Sequence, residues 1–327
     1  MPQECGLAGR FGATFTVRVP VGQNKFYHLI ARLSALNLSR PVRGAIWMMG
    51  STASWASMAA ITRHFTGEIH TFEIVFFRSL FGTVFLLPWL SRLGLAGLRT
   101  QRIGMHMARG FVGLATIYMS FTAIALVPLG EVAAILSTRP VIGSLGAVLI
   151  LHEVSRGHRW AATALAFAGA LIIMRPGFSD VSLGVALALL SVIGLAAELL
   201  IVKSLVSTEA PDTIVIWQMV VFTPFSLIPA LFVWQTPDIW QFILLVGTGL
   251  FGTFTQRCLT RAYAAADATV VLPFDFTRLV FSALLGFLVF AEFPDVWTWT
   301  GGALIFAAVL WMAGLETQAD YPSPPAI

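Results

Sequence analysis

The chain has 327 residues; 57 % are hydrophobic and 11 % charged, whereas about a quarter of a soluble domain is charged. With mean hydropathy of +0.82 and a formal net charge of +4, it is neither a soluble globular domain, nor a disordered chain, nor a nucleic-acid module with its basic residues gathered on one face. Two cysteines, Cys5 and Cys258, do not make a disulfide framework. The composition is that of a polytopic membrane protein.

The chain opens with residues 1–43, which hold Arg10, Arg18, Lys25, Arg32, Arg40 and Arg43 against one acid, Glu4. No apolar stretch leads to a small-residue cleavage site there, so the segment reads as a basic, disordered arm rather than a signal peptide. A helix needs about 20 apolar residues to cross a bilayer. Ten such runs follow: 44–62, 72–90, 106–126, 130–151, 160–174, 184–202, 213–234, 240–260, 268–290 and 299–315. They do not alternate in polarity as barrel strands do. Short connections leave no room for a folded soluble domain, and the proline-rich tail 316–327 reads as disordered. The expected divisions are therefore 1–43, a first five-helix half over 44–174, a second over 175–315, and the tail.

Lysine and arginine set the expected orientation. With the N-terminus in the cytoplasm, Arg92, Arg99, Arg102, Arg156, Arg159 and Lys203 fall on inner loops, and only Arg63 and Arg175 on outer ones. An even number of spans returns the C-terminus to the cytoplasm.

The sequence also matches itself when shifted by 139 residues. Gly110, Gly113, Thr116, Thr138, Arg139, Glu153, Trp160 and Phe167 recur as Gly249, Gly252, Thr255, Thr277, Arg278, Glu292, Trp299 and Phe306. Upstream, a shift of 140 aligns Gly44 with Gly184, Ser51 with Ser191 and Ile74-Val75 with Ile214-Val215. Span three maps onto span eight, so each repeat holds five spans. Five is odd, and the second repeat enters the membrane from the other side. The fold class expected is an all-α membrane protein of ten transmembrane helices in two inverted five-helix repeats, an arrangement suited to alternating access.

The stretch RGFVGLATIYMSFTAIALVPLGEVAAILSTRPVIGSLGAVLILHE, then Trp160 and ALAFAGALIIMRPG, resembles the EamA-domain type of the drug/metabolite transporter superfamily. RAYAAADATVVLPFDFTRLVFSALLGFLVFAEFP resembles the matching half, and FEIVFFRSL the second helix. The resemblance covers about residues 43–315. It implies ten helices around a central cavity, no ATP-binding part, and Glu153 and Glu292 at helix-terminal positions with a structural role.

Ionisable groups inside a membrane are costly and mark function by default. Arg139 and Arg278 lie near the middle of their spans and are repeat mates. Arg278 has Asp275 one turn away; Arg139 has no carboxylate at that spacing, so its partner must come from another helix, water or the substrate. Arg139 is thus expected to be the more available charge. Arg78 has Gln218 as its mate. Glu198 sits inside span six without a local base, which suits proton coupling, and Asp275 joins it as a coupling candidate. Trp55, Tyr118 and Trp217 are candidate ligand-facing aromatics. Pro140 and Pro273 can free backbone carbonyls within spans four and nine. Arg109 reads as an anchor at the inner end of span three.

No H-E-x-x-H, G-x-S-x-G or Walker pattern occurs, and Gly247-Thr-Gly249-Leu-Phe-Gly252 lies in an apolar span rather than a strand–turn–helix. No enzymatic activity, metal or cofactor is expected. The partners expected are a small-molecule substrate and lipid, with a homodimer left open and no nucleic acid. Function is read as secondary transport across the cytoplasmic membrane. Three deep arginines against two carboxylates lean towards export of an amino-acid-derived, carboxylate-bearing compound; the resemblance admits opine-type metallophores. Import of riboflavin or S-adenosylmethionine is the alternative the family implies, and a channel or scaffold the distant one.

Overall fold

The computed structural model describes residues 39–65, 68–93, 98–126, 135–136, 138–153, 157–174, 182–290 and 296–318. Among the described residues there are helices and turns but no strand. Residues 1–38 of the basic arm, residues 319–327 of the tail and Glu292 lie outside them; residues 40–43 and 316–318, read as disordered, are instead the ends of helices.

The helices are α1 (Arg40–His64), α2 (Thr71–Leu93), α3 (Ile103–Leu126), α4 (Arg139–Ile150), α5 (Gly157–Met174), α6 (Leu183–Leu205), α7 (Pro211–Leu231), α8 (Ile239–Ala265), α9 (Ala268–Val271), α10 (Thr277–Phe290) and α11 (Val296–Gln318). Among the described residues six stretches are long and apolar enough to cross a membrane: Thr71–Pro88, Leu183–Leu205, Pro211–Leu231, Ile239–Ala265, Ala268–Val289 and Val296–Leu315. Arg139–Ile150 is a shorter apolar helix. The protein is therefore a multi-pass, all-helical membrane protein.

Local chemistry explains where the helices begin. Proline, which lacks a donor that the first turn would leave unused, stands at the start of α1, α4 and α7. Ser182 caps α6 by accepting from Val185 N–H. Asp238 and Gln241 form a reciprocal capping box on α8. Pro273 sits in a 3-10 turn, Leu272–Phe276, that separates α9 from α10. Pro140 likewise follows a turn at Thr138 and stands at the start of α4 rather than inside a continuous helix. The same side-chain bond closes both turns: Thr138 Oγ1 donates to Ile135 O at 2.7 Å, and Thr277 Oγ1 to Phe274 O at 2.7 Å.

Helix packing repeats itself when each helix is exchanged for its sequence mate. α1 packs on α8 as α6 packs on α3; α1 meets α10 as α6 meets α4; α2 meets α8 as α7 meets α3. The pairs α2–α7 and α5–α11 map onto themselves. At the α2–α7 crossing the mates Thr83 and Thr223 touch, hydroxyl to hydroxyl, at 2.8 Å. These two helices run antiparallel. Glu73 at the start of α2 accepts from Gln235 N–H just past α7, at 2.7 Å, while Trp217 near the start of α7 donates to Leu98 O just past α2, at 3.1 Å.

Lipid tails are as apolar as leucine, so association rests on close packing by small residues. Gly169 on α5 lies against the backbone of α11, where a Cβ would stand 2.7 Å from Gly301 O. Ala162, Ala166, Ala170 and Ala308 continue that buried seam.

Candidate functional site

A cavity of about 90 Å³ lies at the exchange axis, and seven repeat-mate pairs line it: Trp55/Leu195, Met58/Glu198, Arg78/Gln218, Thr116/Thr255, Ile117/Gln256, Ser120/Leu259 and Arg139/Arg278. A water needs about 30 Å³, so the cavity in this conformation is narrower than a metabolite site of several hundred Å³. Admission of such a ligand requires the helices to part.

Two groups of charges face this cavity. In the first, Asp275 stands between both deep arginines. Its Oδ1 accepts from Arg278 Nη2 at 2.8 Å, and its Oδ2 lies 3.5 Å from Arg139 Nη1. Tyr263 Oη is 3.4 Å from Arg139 Nη2. The partner missing from the helix of Arg139 is thus supplied by the turn before α10. The asymmetry read from sequence is removed by the fold: Arg139 is the more enclosed of the two, at 5 % side-chain exposure against 14 % for Arg278. Arg278 also lies over the Trp55 ring, 4.4 Å from its centroid.

The second group contains Glu198, which is held on two sides. Gln218 Nε2 donates to its Oε1 at 3.0 Å, and Arg109 Nη2 lies 3.8 Å away. Arg109 donates in addition to Ile214 O at 2.7 Å. Arg109 is therefore no interfacial anchor; it is fully buried and braces α7 and α6. Arg78 Nε is 3.2 Å from Met58 Sδ; no carboxylate lies within 4 Å of Arg78 among the described residues, and Glu198 is the carboxylate that acts on it from farther off. Arg78 is 4 % exposed and its Nη1 has no hydrogen-bond partner; the same holds for Gln218 Oε1 and Thr255 Oγ1. Gly252 makes room for Arg78, since a Cβ there would sit 2.8 Å from Arg78 Nε.

A second cavity of about 90 Å³, lined by Pro140, Asp275, Phe276 and Leu279, shares Trp55, Leu136 and Arg278 with the first. At one end of the bundle, a vestibule of about 480 Å³ bordered by Glu68, His70 and Thr122 meets the central cavity at Phe121, which lines both. Ion pairs close the other end: Asp212 with Arg257 at 3.0 Å and Arg261 at 3.1 Å, and Lys203 with Glu153 at 3.6 Å. Glu153 also accepts from Ala268 N–H and Thr269 N–H, capping α9, while Lys203 donates to the last carbonyls of α8.

Of the residues singled out in the sequence, Trp55, Arg78, Arg139, Glu198, Gln218 and Arg278 share the central cavity. Asp275 and Pro140 line its neighbour. Two of the candidate ligand-facing aromatics line neither cavity. Tyr118 packs edge-on against Phe72 with ring centres 5.0 Å apart, and Trp217 ties α7 to the segment after α2. Met58, Tyr263 and Arg109 are not among the sequence candidates for the site; of the three, Met58 is open to being found, as the residue 140 positions before Glu198.

The profile of the EamA-like transporter family matches residues 42–175 and 182–314. The chain belongs to this family. It is similar to riboflavin transporters of Vibrio cholerae, 33 % identical over 85 % of this chain and 95 % of that one, and of Rhizobium johnstonii, 35 % identical over 88 % and 96 %. It is also similar to an S-adenosylmethionine uptake transporter of Rickettsia prowazekii, 27 % identical over 85 % and 95 %. This EamA protein is a membrane transporter whose two halves each carry one copy of the family's domain.

Proposed function

We propose that the protein is a secondary carrier that takes up a small neutral heteroaromatic metabolite of the riboflavin class, without catalysis. Ten helices in two inverted repeats would alternate access to the central cavity. The observation that carries this reading is the cavity itself, placed on the exchange axis and lined by mates from both halves. A site there can be offered to either side by exchanging the conformations of the two repeats. The antiparallel α2–α7 pair supports the inversion, and relatives named as riboflavin transporters at 33–35 % identity support the substrate class. The membrane is the cytoplasmic one with both termini inside. Reporter fusions after Lys203 and after Asp295 are expected to read inside and outside respectively.

The deciding experiment is riboflavin flux into proteoliposomes of the purified protein. Saturable uptake with counterflow is expected. Flux without counterflow would indicate a channel, and no flux would remove the substrate class.

A second reading, export of a carboxylate-bearing compound, is favoured by the arginines at and beside the cavity, the buried Arg78, Arg109 and Arg139 and the partly buried Arg278, against Glu198 and Asp275. In it Arg139 or Arg278 would exchange Asp275 for the substrate's carboxylate. Counterflow with an amino-acid-derived dicarboxylate in place of riboflavin separates the two.

A further inference from the structure

Exchange of repeats maps Arg78 onto Gln218 and Met58 onto Glu198, and the fold makes the same contact in both places. Arg78 Nε reaches Met58 Sδ at 3.2 Å; Gln218 Nε2 reaches Glu198 Oε1 at 3.0 Å. The glycines nearby are also mates but touch different members of the frame: a Cβ on Gly252 would meet Arg78 Nε at 2.8 Å, and one on Gly113 would meet Phe222 at 3.0 Å and Glu198 Cδ at 3.4 Å. One frame has therefore been filled twice with different chemistry. At one pole stand a cation, a thioether and, on the same helix as Met58, Trp55, one face of which Arg278 covers. At the other stand a carboxylate, an amide and Leu195.

Had the cation and the acid stood in the same copy of the frame, they would be in contact; instead they are divided between the repeats, and Glu198 acts on Arg78 only from beyond contact distance. Each pole keeps one buried atom without a hydrogen-bond partner: the donor Arg78 Nη1 and the acceptor Gln218 Oε1. Gln218's amide is oriented by Glu198, which Arg109 holds in turn, so its oxygen is the group left over. Buried polar atoms are nearly always satisfied, and a site built to hydrogen-bond a ligand group discriminates strongly against an analogue that lacks it.

We infer that the cavity reads its substrate at two chemically opposite ends, an acceptor-bearing ring at the Arg78–Trp55 pole and a donor-bearing polyol chain at the Glu198–Gln218 pole. This rests on the riboflavin-class reading, since a flavin carries carbonyls on its ring and hydroxyls on its ribityl chain. Arg78 donates to a ring carbonyl beside the Trp55 face. Gln218 Oε1 and Glu198 accept from the chain hydroxyls.

The test is equilibrium binding, by flavin fluorescence, of riboflavin and of lumiflavin, which keeps the ring and replaces the chain with methyl, to the purified protein and its variants. In the wild type riboflavin is expected to bind at least about tenfold more tightly, the worth of one good hydrogen bond to a charged partner. Gln218→Met is expected to weaken riboflavin and leave lumiflavin unchanged. Arg78→Gln is expected to weaken both alike, and Arg78→Lys to restore part of each. Equal affinity of the two ligands in the wild type overturns the two-pole assignment whether or not any variant folds, and leaves riboflavin transport standing. So does a Gln218→Met protein that loses both ligands equally. Failure of the wild type to bind either flavin overturns both readings together.

Discussion

Two groups of charge border the same cavity and are compensated to different degrees. Asp275 lies within 3.5 Å of both Arg139 and Arg278, and a tyrosine completes the cluster. Arg78 has a sulfur in contact and no carboxylate within 4 Å among the described residues, Glu198 acting on it from farther off. The lesson is that position in a membrane does not by itself mark a binding charge. Both arginines of the repeated Thr-Arg pair are deep, yet they are tied into a knot that joins α4, α8 and α10. The less compensated cation is the one whose repeat mate carries no charge: Glu198 acts on Arg78 only from beyond contact distance.

The sharpest way to test that contrast is to cut the knot. Asp275→Asn removes the one carboxylate and leaves two buried guanidinium groups facing each other. Breaking a buried ion pair from one side costs about 3–5 kcal/mol. Thermal unfolding in detergent is expected to show a loss of that order, with reduced protein in the membrane. Arg78→Gln, which leaves no charge unpaired, is expected to leave the unfolding temperature nearly unchanged. Equal destabilisation by the two would erase the distinction between knot and pole.

A smaller effect is expected from the glycines that frame the poles. Gly252→Ala brings a methyl group to 2.8 Å from Arg78 Nε, and the side chain must shift; Gly113→Ala meets Phe222 at 3.0 Å and Glu198 Cδ at 3.4 Å, contacts that need little adjustment from the carboxylate. Riboflavin affinity is expected to fall several-fold in the first and less in the second. The reverse order would place the more demanding pole at Glu198.

Glu198→Gln addresses the coupling proposed for this carboxylate. Glu198 is the cavity's acid outside the knot and the one in contact with the amide of Gln218. If its proton is carried with the substrate, transport by the wild type depends on pH and transport by the variant does not. An unchanged pH profile in Glu198→Gln would remove it from coupling and leave it the smaller role of orienting Gln218.

Much of this was legible before any coordinates. Most of the apolar runs fall within a few residues of the described helices, because hydropathy and backbone satisfaction leave a membrane chain few alternatives; of run 130–151 the continuous described helix is Arg139–Ile150, and run 268–290 is broken at Leu272–Phe276. Arg78, Arg139, Glu198, Gln218 and Arg278 announced themselves as polar groups in apolar runs. What could not be read was which of them meet. Arg139 and Asp275 are 136 residues apart, and no helical spacing links them. Arg109 looked like an anchor because it stands near the start of an apolar run; its burial comes from α7 and α6 folding over it. Trp217 and Tyr118 are aromatic and deep by sequence, but the direction of a side chain around a helix uniformly apolar on all sides has no periodic signal to fix it. The break before α10 was foreshadowed only by Pro273.

The smallest expected effect concerns the axis itself. Thr83 and Thr223 meet at the crossing of α2 and α7, between the two poles in sequence terms, and their contact marks the symmetry of the fold more directly than any charge does. Each hydroxyl also has a second acceptor within reach: Thr83 Oγ1 lies 3.0 Å, and Thr223 Oγ1 3.2 Å, from Ser79 O. Losing one threonine therefore leaves the other satisfied by backbone. Interhelical hydrogen bonds of this kind in membranes average about 0.6 kcal/mol, and valine keeps the volume and the branched shape. Thr83→Val, Thr223→Val and the double variant are expected to unfold within about 1 kcal/mol of the wild type by that measure and to bind riboflavin unchanged. A double-mutant cycle gives the coupling directly. A coupling of several kcal/mol, or a loss of binding in the double variant, would mean that the axis contact helps to shape the poles, and that the contrast between a structural knot and a binding wall has been drawn in the wrong place.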